Sequence, residues 1–241
     1  MTEPSPRIAA LAAARADVLY RIADACGRAS RSPSDVTLVA VSKTVDATRL
    51  RDAVAAGFRL FGENRVQEGT QKAAEVPGAH WHLIGPLQSN KARRAVEVYE
   101  SIQSIESVGL AERVDRLARE VRGSGPADRY PVLLQVNVDD DPAKAGFQPA
   151  ALQEALDRLV ALDALEIRGL MTIGRLVQSA EAARPTFAAL RESAQRLRSG
   201  GSTLGPELSM GMTDDFEVAI QEGATIVRVG RALFGARPVV R

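Results

Sequence analysis

One lysine stands where the apolar run of a predicted strand gives way to polar sequence. Lys43 follows the run 38–42 (LVAVS) directly. An amine held in a pocket at such a place loses solvation, which lowers its pKa and makes it a nucleophile for carbonyl carbons. A solvated lysine would be an ordinary rim cation, and Lys43 taken alone leaves both interpretations open.

Two glycine-containing segments near the other end of the chain could bind a phosphate. Segment 209–215 reads SMGMTDD and segment 229–232 reads VGRA, and each joins an apolar run to a predicted helix. We expect Thr213 to be the N-cap of the first helix, with neighbouring backbone N–H groups facing outward. Each segment is a weak signal, and the pair favours a phosphate cup. The candidate residues are Ser209, Gly211, Thr213, Gly230 and Arg231.

Arg228 lies two residues after Ile226 in the apolar run 226–229. Residues two apart share a strand face, so Arg228 would point into the protein if Ile226 does. The alternative is a rim ion pair with an acid such as Glu63. An inward guanidinium can only donate hydrogen bonds, so a ring nitrogen facing it must act as an acceptor and stay unprotonated.

Other residue pairs carry weaker signals. His80 and His82 share a strand face, but no third metal ligand has suitable spacing. We expect Asp214 and Asp215 to stabilise a helix N-terminus. The remaining pairs are Glu63 with Glu68, which could do acid–base work, and Lys91 with Lys144, which we expect to be solvated.

The elements that must position these residues alternate between short β-branched runs and longer amphipathic stretches, which is typical of βα units on a parallel sheet. The predicted strands are 37–41, 59–61, 81–84, 101–104, 132–136, 166–170, 207–209 and 226–229. The predicted helices are 6–27, 47–56, 66–75, 91–98, 108–121, 149–162, 180–197, 214–222 and a short one from Ala232. About eight units in 241 residues predict one α/β domain over 1–241, a (β/α)8 TIM-like barrel from about 37 with an extra N-terminal helix.

Barrel closure would bring the candidate residues together. The eighth strand of a closed barrel lies beside the first, and active sites of this fold form at the carboxyl ends of the strands. A phosphate held near Gly230 would therefore lie close to Lys43. A ligand with both a phosphate and an aldehyde fits this pair, and pyridoxal 5′-phosphate (PLP) and a sugar phosphate are the two candidates.

Composition excludes several classes of partner. Lys and Arg number 31 and Asp and Glu 30, a formal net charge of +1, so nucleic acid is not implied. No apolar run reaches the roughly 18 residues of a membrane span. Cys26 is the single cysteine and cannot form an internal disulfide, which suits a reducing compartment, so we expect a cytoplasmic protein.

Six motifs resemble the PLP homeostasis protein family, small relatives of the alanine racemase barrel. They are VSKT (41–44), FGENRVQE (61–68), WHLIGPLQSNK (81–91), RGLM (168–171), LSMGMTDD (208–215) and VRVGRALFG (227–235). The resemblance runs in order from about Leu38 to Gly235. It implies a fold-type III PLP barrel, without the second domain of the racemase, that has no established turnover.

Carried over by position, the resemblance assigns Lys43 to the Schiff base and Arg228 to the pyridine nitrogen. Asn64 matches an asparagine lining the cofactor pocket. The phosphate cup corresponds to Thr213, Gly230 and Arg231, with Ser209 and Gly211 in its supporting turn. Three positions depart from the commonest pattern: Thr213 replaces a serine, Arg231 a small hydroxyl residue and Pro86 a histidine. A side-chain contribution of Arg231 to phosphate binding is therefore not implied.

The function that we expect is intracellular buffering or delivery of PLP without efficient turnover. Racemisation needs a second base opposite the lysine, and the predicted barrel uses the whole chain. Expected partners are PLP, free amino acids and, transiently, PLP-dependent apo-enzymes, and we expect a monomer. The alternatives are a PLP-dependent amino-acid racemase and, less favoured, a Schiff-base aldolase acting on a sugar phosphate.

Overall fold

Eight parallel strands close into a barrel in the computed structural model, which describes residues 5–123, 125–175 and 177–235. Each strand pairs with the next, and the last returns to the first. The strands are Thr37–Val41 (β1), Leu60–Glu63 (β2), His80–Leu83 (β3), Ser101–Ile105 (β4), Tyr130–Gln135 (β5), Leu165–Met171 (β6), Glu207–Ser209 (β7) and Ile226–Val229 (β8). The predicted (β/α)8 barrel is confirmed.

Helices alternate with these strands, and one long helix precedes them. Their bounds are Pro6–Arg28 (α1), Ala47–Ala55 (α2), Val66–Glu75 (α3), Ala92–Val98 (α4), Val108–Arg122 (α5), Pro149–Val160 (α6), Arg184–Ser199 (α7), Phe216–Gln221 (α8) and Arg231–Phe234 (α9). The expected N-terminal helix is confirmed as α1. Of the predicted domain over 1–241, residues 1–4 and 236–241 lie outside the described ranges.

The pairing of β8 with β1 sets the position of the candidate site. Val39 aligns with Arg228 and Ala40 with Val229, so the carboxyl ends of the first and last strands are neighbours. Lys43 and Gly230 follow those ends directly. The proximity expected from closure is therefore present.

Alternation along the strands separates an inner from an outer face. Ile226 packs with Val39, Leu133 and Met171 in a small apolar cluster that lines the barrel. On the outer face, Phe61 stacks on Trp81 with 5.3 Å between ring centroids, beneath the helices. Since residues two apart share a face, the strand that buries Ile226 inside the barrel also directs Arg228 inside.

Most helix bounds differ from the prediction by one to four residues. Helix α1 ends at Arg28, one residue later than expected. Helix α7 begins at Arg184 because residues 181–183 form a 3₁₀ turn before Pro185 in its first turn. Helix α8 begins at Phe216 because Asp215 occupies the cap position.

Within the described ranges, no helix combines the length and the apolar composition that a bilayer span requires.

Candidate functional site

The turn after β1 presents Lys43 at the carboxyl end of the barrel. Its side chain is half-buried. The next residue, Thr44, has a φ of 68°, a left-handed conformation that non-glycine residues rarely adopt. Ser42 N donates to Gly62 O at 3.0 Å, which joins the turn to the end of β2. The lysine therefore lies on a tightly bent segment, between the ends of β8 and β2.

Arg228 lies inside the barrel with its guanidinium almost fully buried. Nη1 donates to Ser209 Oγ and Nη2 to Thr172 O, each at 2.7 Å. Burial lowers the pKa of Arg228 to about 10, so the side chain stays charged at neutral pH. No carboxylate of the described residues forms an ion pair with it. The alternative of a rim ion pair with Glu63 is wrong, because Glu63 faces the helix layer and pairs with Lys72 at 2.7 Å.

A chain of hydrogen bonds runs from Arg228 across the barrel interior. Ser209 Oγ donates to Gln103 Oε1 at 2.6 Å, and Gln103 Nε2 lies 2.9 Å from His82 Nδ1. Arginine can only donate, so Ser209 accepts from it and passes its own proton to the Gln103 oxygen. The Gln103 amide nitrogen must then donate to His82. Burial, and secondarily the nearby Arg168 and His80, lower the pKa of His82 to about 4, so its ring is neutral and can accept.

Sequence reasoning missed Gln103 and gave Ser209 a different place. In the sequence, the signal for Gln103 is a polar side chain in the middle of a predicted barrel strand. In the structure, Gln103 has 0% exposure and lies in the barrel interior. Strand β4 is separated from β7 by two other strands, so the Ser209–Gln103 contact crosses the barrel. Ser209 therefore bonds to Arg228. Among the described residues, no hydrogen bond joins Ser209 to Thr213.

The loops after β7 and β8 meet as the sequence predicts. Thr213 Oγ1 accepts from Gly230 N at 3.2 Å, which joins the two segments. A Cβ added at Gly230 would lie 3.4 Å from Val41 Cβ, so this backbone packs closely against the end of β1. Gly211 has a φ of 89°, and a Cβ there would approach Ala219 Cβ to 2.6 Å. The backbone path therefore requires glycine at Gly211, whereas Gly230 only packs against β1 at contact distance.

The expectation that Thr213 caps a helix is wrong. Asp215 holds the cap position of α8, and its Oδ1 accepts from Met212 N at 2.6 Å. The Thr213 hydroxyl is thereby directed to Gly230 instead of to a helix amide. Arg231 begins α9, and its exposed side chain forms an ion pair with Asp214. Asp215 therefore lies at a helix start as expected, whereas Asp214 pairs with the neighbouring loop.

Asn64 follows β2 and borders a cavity of about 710 Å³ at the same end of the barrel. Its Oδ1 is buried without a hydrogen-bond partner in the described residues. A Cβ at Gly85 would lie 2.3 Å from Asn64 O, so the end of β3 fixes this segment tightly. Arg65 and Lys91 also line the cavity, so Lys91 lies beside Asn64 in a half-buried position.

A further carboxyl group at this face was not anticipated. Glu106 follows β4, and its Oε2 is buried without a partner in the part of the chain that the structure describes. Burial raises the pKa of this carboxyl above its ordinary value. In the sequence, the only indication of Glu106 as a site residue is its position just after a predicted strand.

The remaining sequence candidates have other contacts. His80 Nδ1 lies 2.5 Å from Glu100 Oε1, whereas His82 bonds to Gln103. No cluster of three metal-ligating side chains occurs in the described ranges. Lys144 Nζ lies 3.6 Å from Asp141 Oδ2, so it is paired and not simply solvated.

The donor set fits a ligand with a phosphate, an aldehyde and a ring acceptor. Lys43 supplies an amine, Gly230 a backbone packed against the end of β1, and Arg228 a buried guanidinium that is hydrogen-bonded to neutral oxygens only. The unpartnered Asn64 oxygen adds an acceptor. These groups follow β1, β2 and β8, which are adjacent in the barrel.

Comparison with known proteins agrees with this geometry. The family model of the alanine racemase N-terminal domain matches residues 21–238. A protein of Pseudomonas aeruginosa named pyridoxal phosphate homeostasis protein is 43% identical over 224 residues, covering 92% of this chain and 94% of its own. The protein of that name in Escherichia coli K12 is 39% identical over 236 residues, with coverage of 92% and 94%.

The chain belongs to the pyridoxal phosphate homeostasis protein family.

Solved structures show the same barrel in this family. PipY of Synechococcus elongatus, solved with PLP bound, is 45% identical with a TM-score of 0.76 and covers 89% of this chain and 100% of its own. A protein of Bifidobacterium adolescentis described as unknown has a TM-score of 0.84 at 38% identity, with coverage of 97% and 98%. Alanine racemase of Clostridium difficile 630 shares only the fold, with a TM-score of 0.69 at 14% identity and coverage of 92% and 56%.

Proposed function

We propose that this protein binds PLP at the carboxyl end of its barrel and buffers or delivers it within the cell. The observation that carries the proposal is Arg228, a buried cation inside the barrel that pairs with β1 at Val39 and hydrogen-bonds only to the neutral oxygens of Ser209 and Thr172 in the described residues. A charge buried in this way needs compensating hydrogen-bond acceptors. The names of the relatives and the PLP in PipY support the choice of ligand.

Lys43 would hold the aldehyde carbon as a Schiff base, with water leaving as the C=N bond forms. The turn after β1 would hold the Lys43 side chain next to the residues of the phosphate cup. Arg228 would donate to the pyridine nitrogen. Asn64 would line the ring pocket with its buried oxygen.

The phosphate would be held by the loops after β7 and β8. Thr213 would give its hydroxyl and Arg231 its backbone N–H, and the Gly230 N–H would turn from Thr213 Oγ1 to the phosphate. The Thr213–Gly230 hydrogen bond keeps these groups adjacent before the ligand arrives. Gly211 shapes the turn below Thr213, and Ser209 orients Arg228.

The same arginine argues against efficient turnover. PLP supplies an electron sink for carbanions when its ring nitrogen is protonated. Arg228 stays charged and can only donate, so it would hold that nitrogen unprotonated. Free amino acids would then release the ligand from Lys43 without reacting further, and PLP-dependent apo-enzymes would take it up. We propose a cytoplasmic, monomeric carrier on this basis.

One observation favours an amino-acid racemase as a second candidate. Glu106 has a buried, unpartnered carboxyl oxygen at the end of β4, and burial raises its pKa. A positioned carboxyl group can act as a general base or acid. The racemase would require Glu106 to reach the Cα of an amino acid bound at Lys43.

Absorption spectroscopy with borohydride trapping distinguishes the candidates. A carrier gives a yellow protein with PLP that borohydride bleaches irreversibly. In a separate, unreduced sample, D- and L-alanine displace PLP without being racemised. Racemisation of alanine would support the second candidate. A colourless protein that borohydride traps only with a sugar phosphate would contradict both and favour an aldolase.

A further inference from the structure

A buried ionic cluster lies outside the barrel, directly behind the turn that carries Lys43. Lys72 of α3 is only 7% exposed. Its Nζ lies 2.7 Å from Glu63 Oε1 and 2.6 Å from Glu68 Oε1. The same Nζ donates to Ser42 O at 2.7 Å. The cluster therefore bonds to the residue before Lys43.

The residue after Lys43 is held by the same cluster. Thr44 N donates to Glu68 Oε1 at 2.7 Å. Ser42 Oγ donates to Glu63 Oε1, also at 2.7 Å. The backbone is thus bonded at Ser42 O and Thr44 N, on both sides of the lysine.

The turn needs such support because of its conformation. Thr44 has a φ of 68°, which a β-branched residue adopts only when its surroundings enforce it. The hydrogen bond from Thr44 N to Glu68 supplies that restraint. Without it, the backbone could relax and the side chain of Lys43 would change direction.

Burying the ammonium group of Lys72 costs hydration free energy. It shares the buried face of α3 with Val66 and Gly69, where an apolar side chain would avoid the loss of hydration. Three oxygen acceptors, on Glu63, Glu68 and Ser42, compensate for the lost hydration. The one on Ser42 is a backbone carbonyl of the turn that carries Lys43. Glu63 Oε2 has no partner in the described residues, so the cluster is not optimised for stability alone.

We propose that Lys72 and Glu68 are positioning residues that fix the direction of the Lys43 amine toward the ligand. They act through the backbone at Ser42 and Thr44. The inference rests on the proposed function in one respect, namely that Lys43 takes the aldehyde of PLP. It assigns part of the affinity for the aldehyde to a cluster outside the barrel.

Two ligands separate positioning from general stability. PLP and pyridoxine 5′-phosphate share the ring and the phosphate, but only PLP carries the aldehyde. The ratio of their dissociation constants therefore reports how well Lys43 engages the aldehyde. Both constants are measured by titration of the purified full-length protein, together with its melting temperature.

Lys72→Met and Glu68→Ala are the test variants. Each should weaken PLP binding by about tenfold or more and leave pyridoxine 5′-phosphate within about twofold. Glu68→Gln keeps an oxygen acceptor for Thr44 N and should restore most of the PLP affinity. Arg119→Met removes a helix ion pair with Asp115 far from the turn and should leave the ratio unchanged.

Equal weakening of both ligands, or an unchanged ratio in Glu68→Ala, would overturn the positioning role. Glu68 is partly exposed, so Glu68→Ala decides the matter if Lys72→Met does not fold. Lys43→Ala separates this inference from the proposed function. If Lys43→Ala keeps the wild-type preference for PLP, the Schiff base at Lys43 is wrong, whereas loss of the preference there but not in Glu68→Ala refutes only the positioning role.

Discussion

Ser209 links two buried polar groups, and its removal should be unusually costly. Its hydroxyl accepts from Arg228 Nη1 at 2.7 Å and donates to Gln103 Oε1 at 2.6 Å. Ser209→Ala leaves one donor of Arg228 and the amide oxygen of Gln103 without a partner, and both are buried because Gln103 has 0% exposure and Arg228 5%. An unmatched neutral group costs about 1 kcal/mol and a charged one about 1.5–3 kcal/mol, so we expect a loss of about 2.5–4 kcal/mol.

The matched control is Ser104→Ala. Ser104 is also fully buried on a barrel strand, but its hydroxyl makes one hydrogen bond, to Gly85 O at 2.7 Å. We expect Ser104→Ala to cost about 1–1.5 kcal/mol, since one neutral bond is lost. The free energy of unfolding is measured for both variants by urea titration. A loss in Ser209→Ala no larger than that in Ser104→Ala would refute the hydrogen-bond chain.

Three further predictions follow from the site. Thr213→Ala should weaken PLP by about 1.5–3 kcal/mol and leave pyridoxal almost unaffected, because only the phosphate contact is lost; titration of both ligands checks this, and equal losses would place Thr213 outside the cup. Because His82 has a pKa of about 4 when folded and an ordinary value of 6.5, the unfolded chain binds the extra proton between these values. Stability should therefore fall by on the order of 3 kcal/mol from pH 6.5 to pH 4, with no contribution above pH 6.5, and urea titrations of His82→Asn should lack this part of the slope. The donor-only role of Arg228 predicts that holo-protein loses PLP to amino acids without deuterium uptake at Cα, and exchange at roughly 1 per second or faster, followed by NMR, would contradict it.

The sequence was sufficient for the barrel and for the strand ends that carry the site. Alternating apolar runs located the strands, and closure placed Lys43 beside Gly230 without further information. The spacing put Arg228 on the same strand face as Ile226, because strand periodicity is a local property, and the structure shows that this face points inward. These predictions depend on neighbours in sequence or on the topology of one fold.

Contacts across the barrel and between layers were beyond the sequence. The Ser209–Gln103 bond joins residues 106 positions apart, and its existence depends on which inward side chains lie at the same depth. Lys72 appears in sequence as an ordinary helical lysine, and only the packing of α3 against β2 shows that its ammonium is buried. The prediction of Thr213 as a helix cap is wrong for a similar reason, because Asp215 occupies the cap position of the same helix.

The central claim is that Lys43 holds the aldehyde of PLP. The direct measurement is peptide mapping by mass spectrometry after borohydride reduction of the protein with less than one equivalent of PLP. At limiting ligand, surface lysines compete poorly, and Lys91 and Lys144 serve as internal controls. We predict that the reduced pyridoxyl group is found on the peptide containing Lys43 and is lost in Lys43→Ala. Modification chiefly at Lys91, Lys144 or Lys72, with Lys43 unmodified, would contradict the account.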